Sequence, residues 1–174
     1  MNLPTGGPLV VVTGVSGSGK STVGVELARH LGVEYADADD FHPPGNVEKM
    51  RSGHALSEAD REPWLAAIAH WLRHHAAAGG VASCSALRRK SRDQLREAAP
   101  SAVFLHLDGS ERMLRQRLRK RADHFMPASL LESQLDALEP LGVDEPGMRA
   151  DIESSPDAIV AAFLRWRRHD PIPR

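Results

Sequence analysis

Short, continuous apolar runs alternate along the chain with longer segments of helical periodicity. The short runs hold about five residues each and are rich in β-branched side chains, as is typical of strands buried on both faces of a sheet. They predict strands at 9–13, 33–37, 81–85 and 103–107, and a weaker one at 148–152, where charged residues interrupt the run. The longer segments predict helices, which are expected at 20–31, 57–78, 110–122, 128–139 and 156–167, with another beginning at Arg88.

The order of these elements predicts an α/β fold. Strands that alternate with helices through the whole length favour a mostly parallel five-stranded sheet with helices on both faces. A chain of 174 residues has the size of one domain, and no linker or repeat divides it. Residues 1–174 are therefore predicted to form a single domain.

Composition and charge exclude several classes of protein. The chain has 22 basic and 23 acidic residues and a formal net charge of −1, so it is not a polybasic protein. Its one cysteine, Cys84, cannot form an internal disulfide, which favours a reducing compartment. No apolar run approaches the length of a membrane-spanning helix, and no basic segment precedes the first short apolar stretch. We expect a cytoplasmic protein with no membrane partner.

The most specific motif follows the first predicted strand. Residues 14–21 read Gly-Val-Ser-Gly-Ser-Gly-Lys-Ser and fit G-x-x-x-x-G-K-[ST] at every fixed position. The glycines let backbone N–H groups point inward around phosphate oxygens, and the N-terminus of the next helix adds partial positive charge. Lys20 is expected to reach the β- and γ-phosphates, and the Ser21 hydroxyl is expected to bind Mg²⁺. The predicted ATP-binding residues are Gly14, Val15, Ser16, Gly17, Ser18, Gly19, Lys20, Ser21 and Thr22.

A phosphate-binding loop does not by itself decide what happens to the γ-phosphate. A GTPase needs an N-K-x-D-type guanine-binding motif, but the only asparagines are Asn2 and Asn46, so this class is excluded. A motor or remodelling ATPase needs an apolar strand that ends in a carboxylate, and Asp108 follows such a strand. Because Gly109 and Ser110 come next, Asp108 is interpreted as closing the strand rather than binding magnesium.

Carboxylates follow the second predicted strand. Ligands of open α/β sheets bind at the carboxyl ends of the strands, so Asp37 and Asp39 are expected to face the γ-phosphate. In an extended segment, residues two apart point to the same side. Transfer to an alcohol needs a group that orients the hydroxyl and accepts its proton, and this role is predicted for Asp39. Asp37 is predicted to hold Mg²⁺ through water.

These and further residues resemble the gluconokinases, small P-loop kinases that phosphorylate D-gluconate at its 6-hydroxyl with ATP. The block from His42 to Trp64 is more particular to this family than the P-loop, which shikimate kinases and nucleoside monophosphate kinases share. One departure is Ala38, where the family more often has glycine. The matching residues are 14–21, 37–43, 46–50, Gly53, Leu56, 60–61, 63–65, 84–88, 92–93, 95–96, Arg117, Arg121, 124–125 and 133–134.

The resemblance implies a P-loop kinase-type three-layer sandwich with a helical lid at about 115–140, and it suggests a homodimer. Gluconate carries one carboxylate, so Lys49, Arg61 and Arg88 are candidate cations for it. His42 is a candidate for binding a hydroxyl. Two lid arginines are expected to close over ATP, and Arg121 completes a predicted catalytic set with Lys20 and Asp39. The second lid arginine is Arg117.

Two alternatives stay open on the residues alone. One is another small-metabolite kinase, such as a shikimate kinase. The other is an ATP-dependent nucleic-acid factor that uses the basic segment at 111–124 to bind phosphates. One tyrosine and four phenylalanines offer few stacking platforms, and the net charge is near zero, so no nucleic-acid partner is expected.

Overall fold

A computed structural model describes residues 6–121 and 129–169, which form five strands and seven α-helices. The strands are β1 (Leu9–Thr13), β2 (Glu34–Asp37), β3 (Gly80–Ser83), β4 (Val103–Asp108) and β5 (Gly147–Asp151). The helices are α1 (Lys20–Leu31), α2 (Pro44–Arg51), α3 (Glu58–His75), α4 (Arg89–Ala98), α5 (Glu111–Arg119), α6 (Ser129–Ala137) and α7 (Pro156–His169). A short 3-10 helix covers Ala38–Phe41.

All five strands form one sheet in the order β2-β3-β1-β4-β5, and every neighbouring pair is parallel. The α/β class and the parallel five-stranded sheet are confirmed, including the weak fifth strand. Because β1 is central, the loop after it opens at the middle of the sheet. The carboxyl ends of β2 and β3 lie beside it on the same edge.

Apolar side chains alternate between the two faces of the central strand. Val10 and Val12 pack in a cluster with α1 and α7, whereas Leu9 and Val11 pack with α3 and α4. Every residue of β1 is buried, which explains its uninterrupted apolar sequence. Helices therefore cover both faces of the sheet, and none of those within the described ranges is long and apolar enough to cross a membrane.

Local capping explains where the helices begin and end. Gly32 has a left-handed conformation (φ 66°) and ends α1, as its position predicted. Ser57 and Asp60 form a reciprocal capping box at the start of α3. α2 was not predicted, because its Pro-Pro-Gly start is typical of a turn, yet Pro44 fits the first turn of a helix, where no N–H is needed. α5 ends at Arg119 with Lys120 as its C-cap, so the prediction that this helix continues to 122 is wrong at 120–121, and Arg121 lies beyond the helix. The predicted start of α6 at 128 lies outside the described residues.

Candidate active site

A cleft opens at the carboxyl ends of β1, β2 and β3 and encloses about 1060 Å³, a space that includes its open mouth. It brings most of the predicted site residues together. Those in its lining are Ser16, Gly17, Gly19, Lys20, Ser21, Asp37, Asp39, His42, Arg61, Arg88 and Arg121. The others, which lie outside this lining, are Gly14, Val15, Ser18, Thr22, Lys49 and Arg117.

The loop at 14–21 has the backbone that a phosphate cradle requires. Gly14 and Gly19 have φ angles of 148° and 93°, which non-glycine residues rarely adopt. A Cβ at Gly14 would lie 2.6 Å from Ser18 Oγ and 2.9 Å from the carbonyl oxygen of Leu107, so only glycine fits there. Ser18 Oγ is buried without a hydrogen-bond partner among the described residues. The open cradle, at the N-terminus of α1, suits a triphosphate.

Lys20 extends across this loop. Its Nζ donates to the carbonyl oxygen of Val15 at 3.1 Å. Burial lowers the pKa of Lys20, while the nearby carboxylate of Asp39 raises it and so favours the ammonium form. Arg121 acts in the opposite direction, as a second positive charge close to the first. Asp39 and Arg121 therefore both lie within electrostatic reach of Lys20, and the catalytic roles of the three residues stay a prediction.

The oxygen ligands predicted for magnesium also meet. Ser21 Oγ donates to Asp37 Oδ2 at 2.7 Å, and Asp37 Oδ1 accepts from the backbone N–H of Asp39 at 3.0 Å. Hydroxyl and carboxylate oxygens are donors that Mg²⁺ prefers, so this pair fits the ion. Sequence reasoning missed two supporting residues. Tyr35 donates to Ser83 Oγ at 2.9 Å, and Ser83 donates to the carbonyl oxygen of Lys20 at 2.9 Å.

His42 forms part of the cleft wall. Its ring stacks on Trp64 with centroids 4.3 Å apart and an interplanar angle of 8°. Trp64 is fixed in turn by a 2.6 Å hydrogen bond from Nε1 to the carbonyl oxygen of Ala38. Burial, and then the charge of Arg61, lowers the pKa of His42 to about 4. The ring is therefore neutral at physiological pH and suited to binding a hydroxyl rather than an anion.

Two arginines face the same cleft. Burial, and then the positive charge of Arg88, lowers the pKa of Arg61, so the two guanidinium groups repel each other. Neither forms an ion pair with an acidic side chain of residues 6–121 or 129–169. The charges of Glu58 and Asp60 partly offset this effect on Arg61, but neither carboxylate pairs directly with it. Two neighbouring guanidinium groups without a direct ion-pair partner in the described part of the chain are an arrangement that an anionic ligand would complete.

Lys49 has a different environment from the two arginines. Its Nζ donates to Asp60 Oδ2 at 2.6 Å, which ties α2 to the start of α3. Hydrogen bonds from Lys49 and from the Ser57 backbone lower the pKa of Asp60 to about 2. Lys49 does not line the cleft, and contact between Lys49 and a substrate stays a prediction.

The lid side of the cleft contains one contact that sequence reasoning assigned no role. The backbone N–H of Ser16 donates to Gln134 Oε1 at 2.7 Å, which joins α6 to the phosphate loop. Arg117 donates to the carbonyl oxygens of Ile152 at 2.6 Å and Ser18 at 3.4 Å, so it braces the loop from outside the cleft lining. The predicted lid residues 122–128, including 124–125, lie outside the described residues.

Two other reactive side chains, Asp108 and Cys84, have surroundings that give them no role in the cleft chemistry. Asp108 forms an ion pair with Arg149 and is not among the residues that line the cleft. Cys84 is buried, and burial raises the pKa of its thiol to about 12, so it stays protonated and is not a nucleophile.

The chain is similar to known proteins over most of its length. A family model described as an AAA domain matches residues 10–128. The gluconokinase of Gluconobacter oxydans (strain 621H) is 49% identical over 158 residues, which cover 90% of this chain and 89% of that protein. The crystal structure of a gluconokinase from Sinorhizobium meliloti 1021 has a TM-score of 0.84 and 43% identity and covers 93% of both chains. An unliganded sugar kinase from Janibacter sp. HTCC2649 has a TM-score of 0.89 and 46% identity over 95% of this chain and 96% of that one.

Proposed function

Because the chain belongs to the gluconokinase family, we propose that it transfers the γ-phosphoryl group of ATP to the 6-hydroxyl of D-gluconate, giving 6-phospho-D-gluconate and ADP. The observation that carries the proposal is the shared cleft: the phosphate loop, Asp39, and the arginines Arg61 and Arg88 all line it. A cation pair in the same cleft as the phosphate loop suits an acceptor with a carboxylate at one end and a reacting hydroxyl at the other.

The phosphate loop and the Lys20 ammonium hold the triphosphate of ATP in this proposal. Mg²⁺, bound by Ser21 Oγ and through water by Asp37, would neutralise charge on the β- and γ-phosphates. Ser21 and Asp37 already lie within hydrogen-bond distance of each other. Arg121 approaches from the lid side, where a positive charge stabilises the transferring phosphoryl group.

Asp39 orients the 6-hydroxyl of gluconate and accepts its proton. A new bond forms between this oxygen and the γ-phosphorus, the bond between that phosphorus and the β,γ-bridging oxygen breaks, and ADP leaves. Arg61 and Arg88 bind the gluconate carboxylate, and neutral His42 binds one of its hydroxyls. Lid closure excludes water, which would otherwise accept the phosphoryl group.

The alternatives are less well supported. Similarity to gluconokinases extends over nine-tenths of the chain, beyond the P-loop that shikimate kinases share. Two arginines that form no direct ion pair with an acidic side chain among the described residues line the cleft, and this suits a small acid better than a nucleic-acid strand. We also propose a cytoplasmic enzyme that forms a homodimer. Light scattering coupled to size-exclusion chromatography tests the dimer.

A coupled assay for ADP formation tests the function. With ATP and Mg²⁺, we expect turnover with D-gluconate and none above background with shikimate or nucleoside monophosphates. Asp39→Asn should lower kcat by about 10²–10⁴-fold, the usual contribution of a general base, while leaving nucleotide binding intact. Asp40→Asn is the matched control, because Asp40 is also exposed but does not line the cleft. Turnover by D39N at the rate of the wild type would refute the role given to Asp39.

A further inference from the structure

Arg92 is a buried arginine outside the cleft lining that the proposed reaction does not use. Its side chain is 1% exposed, and it pairs with Glu145, whose side chain is fully buried. Nε donates to Glu145 Oε1 at 2.7 Å, and Nη2 donates to Oε2 at 2.9 Å, which makes a two-point fork. Burial alone would raise the pKa of Glu145, but hydrogen bonds from Arg92 and from the Gly142 N–H outweigh it and lower the pKa.

The remaining donors of Arg92 hold two separate pieces of backbone. Nη1 donates to the carbonyl oxygens of Ala86, Leu87 and Glu139, each at 3.1 Å. Nη2 also donates to the carbonyl oxygen of Pro140 at 3.3 Å. One side chain therefore joins the segment after β3 to the segment after α6. A direct backbone hydrogen bond from Glu139 N to Leu87 O, at 2.8 Å, runs between the same two segments.

Ala86 has the backbone conformation that most needs such support. Its φ of +37° is the only positive value at a non-glycine residue within the described ranges. A side chain in this region is strained, and such residues persist where the surrounding structure holds them. Ala86 and Leu87 line the cleft, and Arg88 follows directly. The direction in which the Arg88 guanidinium enters the cleft therefore depends on the backbone that Arg92 holds.

We propose that the buried Arg92–Glu145 pair is a positioning device for the acceptor site: it holds Ala86 in its left-handed conformation, so that Arg88 faces the acceptor carboxylate. This inference rests on the proposed function. Buried ion pairs contribute little net stability compared with apolar residues of the same size, so geometry is the better explanation of this one. The pair also anchors the chain after α6, the helix that contacts the phosphate loop through Gln134. Arg92 and Glu145 are positioning residues, because neither lines the cleft.

Glu145→Gln tests the pair, because glutamine has nearly the same shape as glutamate. Its amide N–H₂ would face the N–H donors of Arg92, so the two-point hydrogen bond would be lost. Asp144→Asn is the matched control. Asp144 also forms a fork with an arginine of α4, at 2.9 and 2.8 Å from Arg89, but it is exposed. In E145Q we expect KM for gluconate to rise by about tenfold, as for the loss of one well-aligned charged hydrogen bond, while KM for ATP changes by less than about twofold. D144N should keep both KM values.

Rescue at Ala86 separates positioning from a merely structural role. Glycine adopts positive φ without strain, so Ala86→Gly added to E145Q should recover most of the lost affinity for gluconate. A folded E145Q in which both KM values rise together, or neither rises, would overturn the proposal, as would a double variant that shows no recovery. If E145Q does not fold, Arg92→Lys is used as the second test variant, with the same expected results. Failure of both to fold would assign the pair to overall stability and also overturn the proposal.

Hydrogen exchange provides a readout that needs no substrate. In the free protein, the peptide at 84–91 should exchange faster in E145Q than in D144N, while peptides from β1 and α1 stay unchanged. If the wild type did not phosphorylate gluconate, the proposed function would fail, yet this comparison would still decide whether the pair holds the 86–88 backbone. Equal exchange of that peptide in E145Q and D144N would overturn the positioning role.

Discussion

Replacing Arg88 by methionine should weaken acceptor binding without weakening the fold. The substitution keeps an unbranched side chain and removes only the guanidinium. Hydrogen bonds to a charged group contribute about 1.5–3 kcal/mol, which corresponds to about a 10- to 150-fold rise in KM for gluconate. KM for ATP should change little, because in the proposed reaction the phosphate loop and Lys20, rather than Arg88, hold the triphosphate.

The same substitution should not lower the stability of the free enzyme. Burial, and then the charge of Arg88, lowers the pKa of Arg61, so the empty cleft carries repulsion between two like charges. Removing one charge relieves it, and we expect unfolding free energy to stay constant or to increase by at most about 0.5 kcal/mol. A purely structural arginine would behave differently, since its removal would lower stability and affect both substrates.

The assay varies gluconate at saturating ATP and then ATP at saturating gluconate, with urea unfolding measured on the same samples. Arg73→Met is the matched control, because Arg73 is exposed in the last turn of α3 and does not line the cleft. Glucitol, which lacks the carboxylate, gives a second comparison. R88M should reduce the preference for gluconate over glucitol in kcat/KM. An unchanged preference, or an equal rise in KM for ATP, would refute the role given to Arg88.

The phosphate-binding half of the site could be predicted because its determinants are local. β1 is buried on both faces, which requires a continuous apolar run, and the loop after it needs glycine where φ is positive. Residues 9–31 therefore specify strand, loop and helix without reference to the rest of the chain. The position of the acidic residues after β2 could be predicted as well, because parallel strands end at one edge of the sheet.

The acceptor half depends on contacts between residues far apart in sequence. Arg92 lies in a basic stretch that is typical of a solvent-exposed helix, and its burial follows from Glu145, 53 positions away. Lys49 resembled a free substrate-binding cation because its partner, Asp60, belongs to the next helix. Gln134 contacts Ser16, which lies 118 positions away in the sequence. The family resemblance included Gln134 but gave it no role. Pairings of this kind are set by the tertiary fold and leave no periodic pattern.

Two further substitutions test the phosphate loop and the core beneath it. Gly19→Ala places a side chain on a residue with φ 93°, so we expect the unfolding free energy to fall by about 1–2 kcal/mol and KM for ATP to rise. An unchanged KM for ATP would contradict the role given to this glycine. His106 is 2% exposed and hydrogen-bonded to Thr13, and burial lowers its pKa to about 4. Because the folded pKa is below the unfolded one, the contribution of His106 to stability should be constant above pH 6.5 and fall by up to about 3 kcal/mol as the pH drops to 4. His106→Gln removes this titration, so its unfolding free energy, measured in urea at several pH values, should fall less steeply over that interval. Parallel profiles for the two proteins would show that His106 is not the group responsible.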